Sequence, residues 1–265
     1  MEKFHKRISI LGSGWLGFPL AKHLVLQGNK VKISTTSKNR FQELQTINAE
    51  TFIVDIDLIS NNIQVFLDSD ILIINIPSKN IDSFANLLNK IKISPIEKVI
   101  FISSTSVYED SNTTIYESDG LELPSHPLVI IENIFKSSNK IETTVLRFGG
   151  LIGYNRHQGK FFGSNSFVPN PDSFVNLIHR DDCIEIINQI ILQEVWNETF
   201  NCCADTHPTK REFYTKANLS FGLVAPKFID SGTSSFKIIS NAKVKKYLNY
   251  IFKHSDLMKI EFLTN

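Results

Sequence analysis

Cysteine is scarce in this chain. Of its 265 residues only Cys183, Cys202 and Cys203 are cysteine, and two of them are adjacent. An odd count without a C-x-x-C pair gives neither a disulfide framework nor a zinc site, so no metal is expected and the thiols read as small buried apolar groups in a reducing compartment. An excess of one charge sign is also missing. The formal net charge is +1, with no basic or acidic tail, which excludes a global field drawing the chain to nucleic acid or an anionic membrane. No apolar run approaches the ~18–20 residues that span a bilayer. The opening segment Met1-Glu2-Lys3-Phe4-His5-Lys6 runs directly into a strand-like stretch, with no signal-peptide core. A cytoplasmic protein is the resulting expectation. Two further absences concern chemistry: there is no Asp or Glu between Lys3 and Gln42, and no Tyr is followed by Lys four places later.

What is present is an alternation. Arg7 to Leu11 reads as a strand, and a helix follows from about Trp15 to Gln27, with Leu16, Leu20, Ala21, Leu24 and Val25 forming one apolar stripe. Gly28-Asn29 stops it. Lys30 to Thr35 is a second strand, and Ser37 is placed to cap a second helix running to about Asn48. Thr51 to Val54, Ile71 to Asn75, Lys98 to Ser103 and Thr143 to Arg147 are further strands, and Ile81 to Ile91 and Ile130 to Phe135 are helical. The run Ile71-Leu72-Ile73-Ile74 is apolar throughout, as suits a central parallel strand buried on both faces. This is the pattern of an α/β fold, a Rossmann-type doubly wound parallel sheet. The expected division is a dinucleotide-binding domain over residues 1–153 and a smaller mixed lobe over 154–265, interleaved with the sheet. In that lobe Tyr154 to Asn176 reads as an irregular loop rich in Gly, Asn, Ser and Pro. Helices are expected over Asp182 to Leu192, Arg211 to Ala217 and Ala242 to Leu248, with a short strand at Thr199 to Asn201 and with Asp182 as a helix cap.

Gly12-Ser13-Gly14-Trp15-Leu16-Gly17 is a G-x-G-x-x-G directly after the first strand and opening a helix, the context in which this pattern binds a dinucleotide. Gly12 permits the turn, Gly14 lets a pyrophosphate approach the backbone, and Gly17 lets helix and strand pack closely. The amides near Trp15 and Leu16 then face the anion at the positive end of the helix. An NAD site usually carries an acidic residue at the end of the second strand, holding the ribose 2′-hydroxyl. This strand ends instead in Thr35-Thr36-Ser37-Lys38-Asn39-Arg40, hydroxyls and two cations suited to a 2′-phosphate. NADP is the expected cofactor, with NAD possible. Asp55 after the third strand, Ile76 and Pro77 after the fourth, and Ser103 at the end of the fifth complete the expected cofactor lining.

With these residues the chain resembles the extended short-chain dehydrogenase/reductases, and more closely the atypical NAD-dependent epimerase/dehydratase branch. Ser103-Ser104-Thr105-Ser106-Val107-Tyr108 is similar to the family's S-S-x-x-V-Y segment. Leu146 to Gly153 is similar to its L-R-x-x-x-x-Y-G, Ile178-His179-Arg180-Asp181-Asp182 to its I-H-V-D-D, and Phe200-Asn201 to its late Y-N strand. The resemblance implies a small-molecule substrate, a monomer or homodimer, Ser104 as the residue that hydrogen-bonds a substrate oxygen, and Tyr108 and Arg156 as substrate contacts, with His157 and Lys160 beside them. The family's Y-x-x-x-K pair, whose Tyr is the general acid/base and whose Lys lowers its pKa, has no counterpart. Taking Glu132 as the family's acidic residue on that helix puts Leu128 and Pro124 where Lys and Tyr would stand. Two readings therefore remain open: an NADP(H)-dependent oxidoreductase or epimerase-like enzyme on a small polar or nucleotide-sugar-like substrate, and a non-catalytic dinucleotide-binding sensor or partner protein.

Overall fold

A computed structural model describes residues 5–59, 63–156, 167–229 and 235–261. The first half runs β1 (Arg7–Leu11), α1 (Gly17–Leu26), β2 (Lys30–Thr35), α2 (Phe41–Gln45), β3 (Glu50–Ile53), α3 (Ile63–Phe66), β4 (Ile71–Ile74), α4 (Ile81–Lys92) and β5 (Lys98–Ser104). It continues with β6 (Thr114–Ile115), α5 (Pro127–Lys136), β7 (Glu142–Phe148), β8 (Gly150–Ile152), β9 (Phe167–Pro169) and β10 (Leu177–His179). The remainder is α6 (Arg180–Gln193), β11 (Thr199–Cys202), α7 (Lys210–Ser220), β12 (Lys227–Ile229), β13 (Ile238–Ile239) and α8 (Ala242–Leu248).

Seven strands form a parallel sheet in the order β3-β2-β1-β4-β5-β7-β11. The order reverses at β1: the chain winds outward through β2 and β3, then returns to the other side of β1 with β4. That reversal is the switch point of a doubly wound sheet, where ligands bind at the carboxyl ends of the strands. All four residues of β4 are buried, as a strand covered on both faces requires.

The chain divides into two compact units. The first comprises Met1–Ser103, Pro124–Leu146 and Ile187–Thr199. Its helices begin where local chemistry allows. In α4 the Asn80 side chain accepts from Ser83 N at 3.3 Å, Asp82 stands in the first turn, and Lys90 and Lys92 in the last, each complementing the helix dipole. Its buried residues Phe84, Leu87, Leu88 and Ile91 recur at helical spacing. Phe84 meets Phe101 of β5 and Phe135 of α5 edge-on at centroid distances of 5.9 and 6.2 Å.

The second unit comprises Ser104–Leu123, Arg147–Ile186 and Phe200–Asn265. Its core gathers Ile152, Val175, Leu177, Ala204, Phe213, Ala217, Leu257 and Ile260. A capping box opens α7: Thr209 Oγ1 accepts from Glu212 N at 3.2 Å, while the Glu212 carboxylate accepts from Thr209 N at 2.8 Å.

Three local expectations need correction. Ser37 precedes a 3-10 turn, Lys38–Arg40, and makes no side-chain capping bond; its own N–H donates to Thr35 Oγ1 at 3.2 Å. Asp182 does not cap α6, because the helix starts at Arg180. Its carboxylate instead accepts from Tyr250 Oη at 2.6 Å, Lys253 N at 2.7 Å and His254 N at 3.1 Å, pinning the segment after α8. The stretch expected to be irregular over Tyr154 to Asn176 contains β9, which pairs in parallel with β12. His157 and Lys160 lie outside the described residues.

Candidate functional site

The glycine turn sits at the end of β1, in the first unit. Each glycine occupies a different steric situation. Gly12 has φ +102°, and a Cβ there would stand 2.3 Å from Asn75 O. A Cβ on Gly17 would stand 2.0 Å from Gly12 O, so α1 can approach the turn only without a side chain. Gly14 has ordinary φ and a Cβ on it would meet nothing within 4 Å. The protein does not need a glycine there for its own packing. Ser34 Oγ, buried at the end of β2, accepts from Gly12 N at 3.0 Å and ties the turn to the neighbouring strand.

Over this turn lies a cavity of about 660 Å³, bounded by residues 11–14, 34–37 with Arg40, 54–57 and 75–78. These are the carboxyl ends of β1, β2, β3 and β4. The volume is in the range that small-molecule sites occupy. The start of α1 faces the same turn. Its N-cap Leu16 supplies no side-chain capping bond, and no acidic residue stands in the first turn, so the positive end of the helix is left for an external anion. Open space at Gly14 beside an uncapped helix start fits a pyrophosphate.

Of the residues expected to hold the cofactor, Gly12, Gly14, Thr36, Ser37, Arg40, Asp55, Ile76 and Pro77 line the cavity. Leu16 and Gly17 are buried behind it and Trp15 is half-buried, none of the three lining it, and the exposed Lys38 does not line it either. Asp57, Asn75 and Ser78 also line it. Asp55 Oδ1 accepts from Asp57 N at 2.9 Å, and Asp57 Oδ1 accepts from Ser83 Oγ at 2.5 Å and Asn80 Nδ2 at 3.0 Å. The start of α4 thus holds this corner. The Asp55-x-Asp57 spacing was the available sequence signal for it.

Arg40 is more engaged than its sequence suggests. Its Nη1 donates to Ser13 O at 2.5 Å and Ser13 Oγ at 3.2 Å, which carries the guanidinium across the glycine turn. Its Nε and Nη2 donate to Glu43 Oε2 at 3.0 and 2.9 Å. Glu43 is the first residue after the acid-free segment, three positions beyond Arg40, and one helical turn folds it back onto that side chain.

The Ser103 hydroxyl is committed elsewhere in the first unit. It donates at 2.5 Å to Oε1 of Glu132, which is 1% exposed. In the same unit, Leu128 falls in the first turn of α5 and is buried, and Pro124 precedes the helix. His126 accepts from Leu128 N through Nδ1 at 3.2 Å, and burial holds its imidazole below the ordinary value. Neither of the two positions carries a group that can exchange a proton.

In the second unit Ser104 Oγ accepts from Ser106 N at 3.1 Å. Tyr108 is 2% exposed. Its hydroxyl donates to Asn201 Oδ1 at 2.8 Å and accepts from Arg147 Nη1 at 2.6 Å. Arg147 also pairs with Glu122. Burial pushes the Tyr108 phenol up to about 12, although the Arg147 charge opposes it. Arg156 is exposed and exchanges backbone hydrogen bonds with Gly153.

His179 joins a packed column. Its Nδ1 accepts from Asp181 N at 3.2 Å at the start of α6, and its ring lies 3.7 Å from His254 and 5.5 Å from Tyr154. Tyr154 Oη donates to Asp181 Oδ1 at 2.8 Å. A Cβ on Gly153, where φ is +117°, would strike His179 Nε2 at 2.3 Å. Burial, then the His254 charge, pulls the His179 imidazole down to about 4.

Comparison with known proteins bears on the fold. A family model described as "NADP oxidoreductase coenzyme F420-dependent" matches residues 7–105. The curated Protein YeeZ of Escherichia coli (strain K12) is 28% identical over 273 residues, covering 95% of this chain and 97% of that protein. Among solved structures, UDP-glucuronic acid 4-epimerase from Bacillus cereus, in complex with UDP-glucuronic acid and NAD, is similar at a TM-score of 0.79 and 18% identity, over 96% of this chain and 97% of that one. A short-chain dehydrogenase/reductase superfamily protein from Agrobacterium tumefaciens with bound NAD is similar at a TM-score of 0.74 and 16% identity, over 95% and 94%. No helix among the described residues is long and apolar enough to cross a membrane. The fold is the Rossmann-like α/β fold of the NAD-dependent epimerases and short-chain dehydrogenase/reductases.

Proposed function

We propose that the chain binds NADP(H), and more weakly NAD(H), in the cavity over the glycine turn. The observation that carries this reading is Gly14: it leaves open space beside an uncapped helix start, at the switch point of the sheet. Gly14 and the first turn of α1 would hold the pyrophosphate. Thr36, Ser37 and Arg40 would take the adenosine ribose, with Arg40 for the 2′-phosphate and Asp55 for the adenine. The bound nicotinamide supplies hydride transfer; the chain positions it and a small polar or nucleotide-sugar-like substrate. That substrate class is supported by the UDP-sugar bound in the Bacillus cereus neighbour. The second unit serves as the substrate lobe, with the half-buried Ser104 and the exposed Arg156 as its candidate contacts; Tyr108, expected beside them from the sequence, is buried with its hydroxyl held by Asn201 and Arg147 and is left out of the set.

A second reading is a dinucleotide-binding sensor or partner without turnover. It is favoured by α5, which offers Leu128, with Pro124 just ahead of the helix, where a proton-transferring pair would stand. A panel of carbonyl and alcohol substrates followed at the nicotinamide absorbance band separates the two. Turnover supports the enzyme, and tight binding without turnover supports the sensor.

The cofactor assignment is tested by Arg40→Ala beside Lys38→Ala. The first is expected to weaken NADPH at least tenfold more than NADH, because it removes a charge-assisted contact worth about 1.5–3 kcal/mol. The second is expected to change neither, since Lys38 does not line the cavity. Equal loss of both cofactors in Arg40→Ala refutes the 2′-phosphate role.

A further inference from the structure

The guanidinium assigned to the 2′-phosphate already holds an anion. The Nε and Nη2 groups of an arginine present parallel N–H bonds, the edge that a phosphate or carboxylate takes bidentately. In Arg40 both of these donate to Glu43 Oε2, at 3.0 and 2.9 Å. The opposite side, Nη1, is anchored on Ser13 O. Arg40 is therefore held in place from one side and occupied on the other. Among the described residues that line the cavity Arg40 is the only cation, while Asp55 and Asp57 bring two carboxylates.

We propose that Glu43 is a specificity-determining residue that competes with the cofactor's 2′-phosphate for the Nε–Nη2 edge of Arg40. The inference rests on the dinucleotide reading above and deepens it. NADP(H) can take that edge only by displacing the Glu43 carboxylate, whereas NAD(H), with a 2′-hydroxyl, leaves the pair intact. Displacement is inexpensive. The Arg40 and Glu43 side chains are 34% and 51% exposed, so the released carboxylate turns into water, and an ion pair this exposed contributes little by itself. Through the exchange the Ser13 contact keeps the guanidinium over the turn. Glu43 thus lowers the preference for NADP(H) without abolishing it, and the two cofactors are bound within a narrower ratio than Arg40 alone would set. A sequence reading that stops at the acid-free second strand overestimates the preference for this reason.

The test uses the full chain and its Glu43→Gln, Glu43→Ala and Arg40→Ala variants, titrated with NADPH and NADH by nicotinamide fluorescence. Unliganded melting curves confirm that the variants fold. Both Glu43 variants are expected to tighten NADPH about two- to fivefold, the scale of one exposed ion pair, and to leave NADH unchanged. An unchanged NADPH-to-NADH ratio in both Glu43 variants, with Arg40→Ala still lowering it, overturns this inference and leaves the cofactor site standing. A ratio that Arg40→Ala also fails to move overturns the 2′-phosphate assignment and this inference together. Absence of binding in the wild-type chain overturns the cofactor site and everything built on it.

Discussion

Substituting the three glycines of the turn one at a time separates packing from ligand binding. Gly17→Ala places a methyl 2.0 Å from Gly12 O. Backbone must move, and overpacking of this kind costs about 1–3 kcal/mol. In a chain of this size that lowers the melting temperature by about 2–4 °C per kcal/mol. Gly12→Ala adds strain at φ +102° to a 2.3 Å approach to Asn75 O, and falls at least as far. Gly14→Ala differs from both. Its methyl meets nothing within 4 Å and its φ suits alanine, so the unliganded protein should melt as the wild type does, or slightly higher by about 0.4–1 kcal/mol through the unfolded state. Its methyl does enter the space assigned to the pyrophosphate. Binding of NADPH should weaken at least tenfold, or about 1.4 kcal/mol. Melting curves of the unliganded variants and a fluorescence titration of Gly14→Ala supply both readouts. Undiminished NADPH binding by Gly14→Ala refutes the placement of the phosphate, because the added methyl stands in the space assigned to it.

Two further substitutions address the second unit. Tyr108→Phe leaves Asn201 Oδ1 without its hydroxyl donor and one Arg147 N–H without its acceptor; the unliganded chain should lose about 1–3 kcal/mol, read by denaturant melts, and an unchanged stability would deny the phenol its structural part. His179→Asn tests a pH dependence. The folded imidazole titrates at about 4 against an ordinary 6.5, so the stabilisation belonging to the neutral ring is complete above 6.5 and is lost as pH falls toward 4. Asparagine retains a helix-start acceptor but does not titrate, so its melting temperature should fall less steeply over that window. Parallel slopes for the two proteins would show that His179 does not carry the effect.

Much of the first unit was legible because its signals are local. The apolar run of β4, the helical spacing in α1 and α4, and a glycine pattern between strand and helix each declare themselves within a few residues. The candidate site was legible in part: Gly12, Gly14, Arg40 and Asp55 line the cavity, while Trp15, Leu16, Gly17 and Lys38 do not. What escaped was contact across a turn of helix or between distant segments. Glu43 went unread because it lies past the second strand, yet the 3-10 turn and α2 set it against Arg40. Lys38 looked equivalent to Arg40, but it faces solvent because the chain turns between them. Asp182 looked like a cap, and its real partners lie some seventy positions on, beyond α8. The strands β8, β9, β10 and β12 have three residues each and pair in parallel with distant partners, so neither length nor alternation announced them.

The account stands most directly on whether the chain holds a dinucleotide at all. Titration of the full chain with NADPH and with NADH, by calorimetry alongside nicotinamide fluorescence, answers that. The expected result is saturable binding of one molecule per chain, tighter for NADPH, with thermal stabilisation of about 2.7 kcal/mol when the ligand is a hundredfold above its Kd. No heat, no fluorescence change and no stabilisation with either cofactor at millimolar concentration would contradict the account.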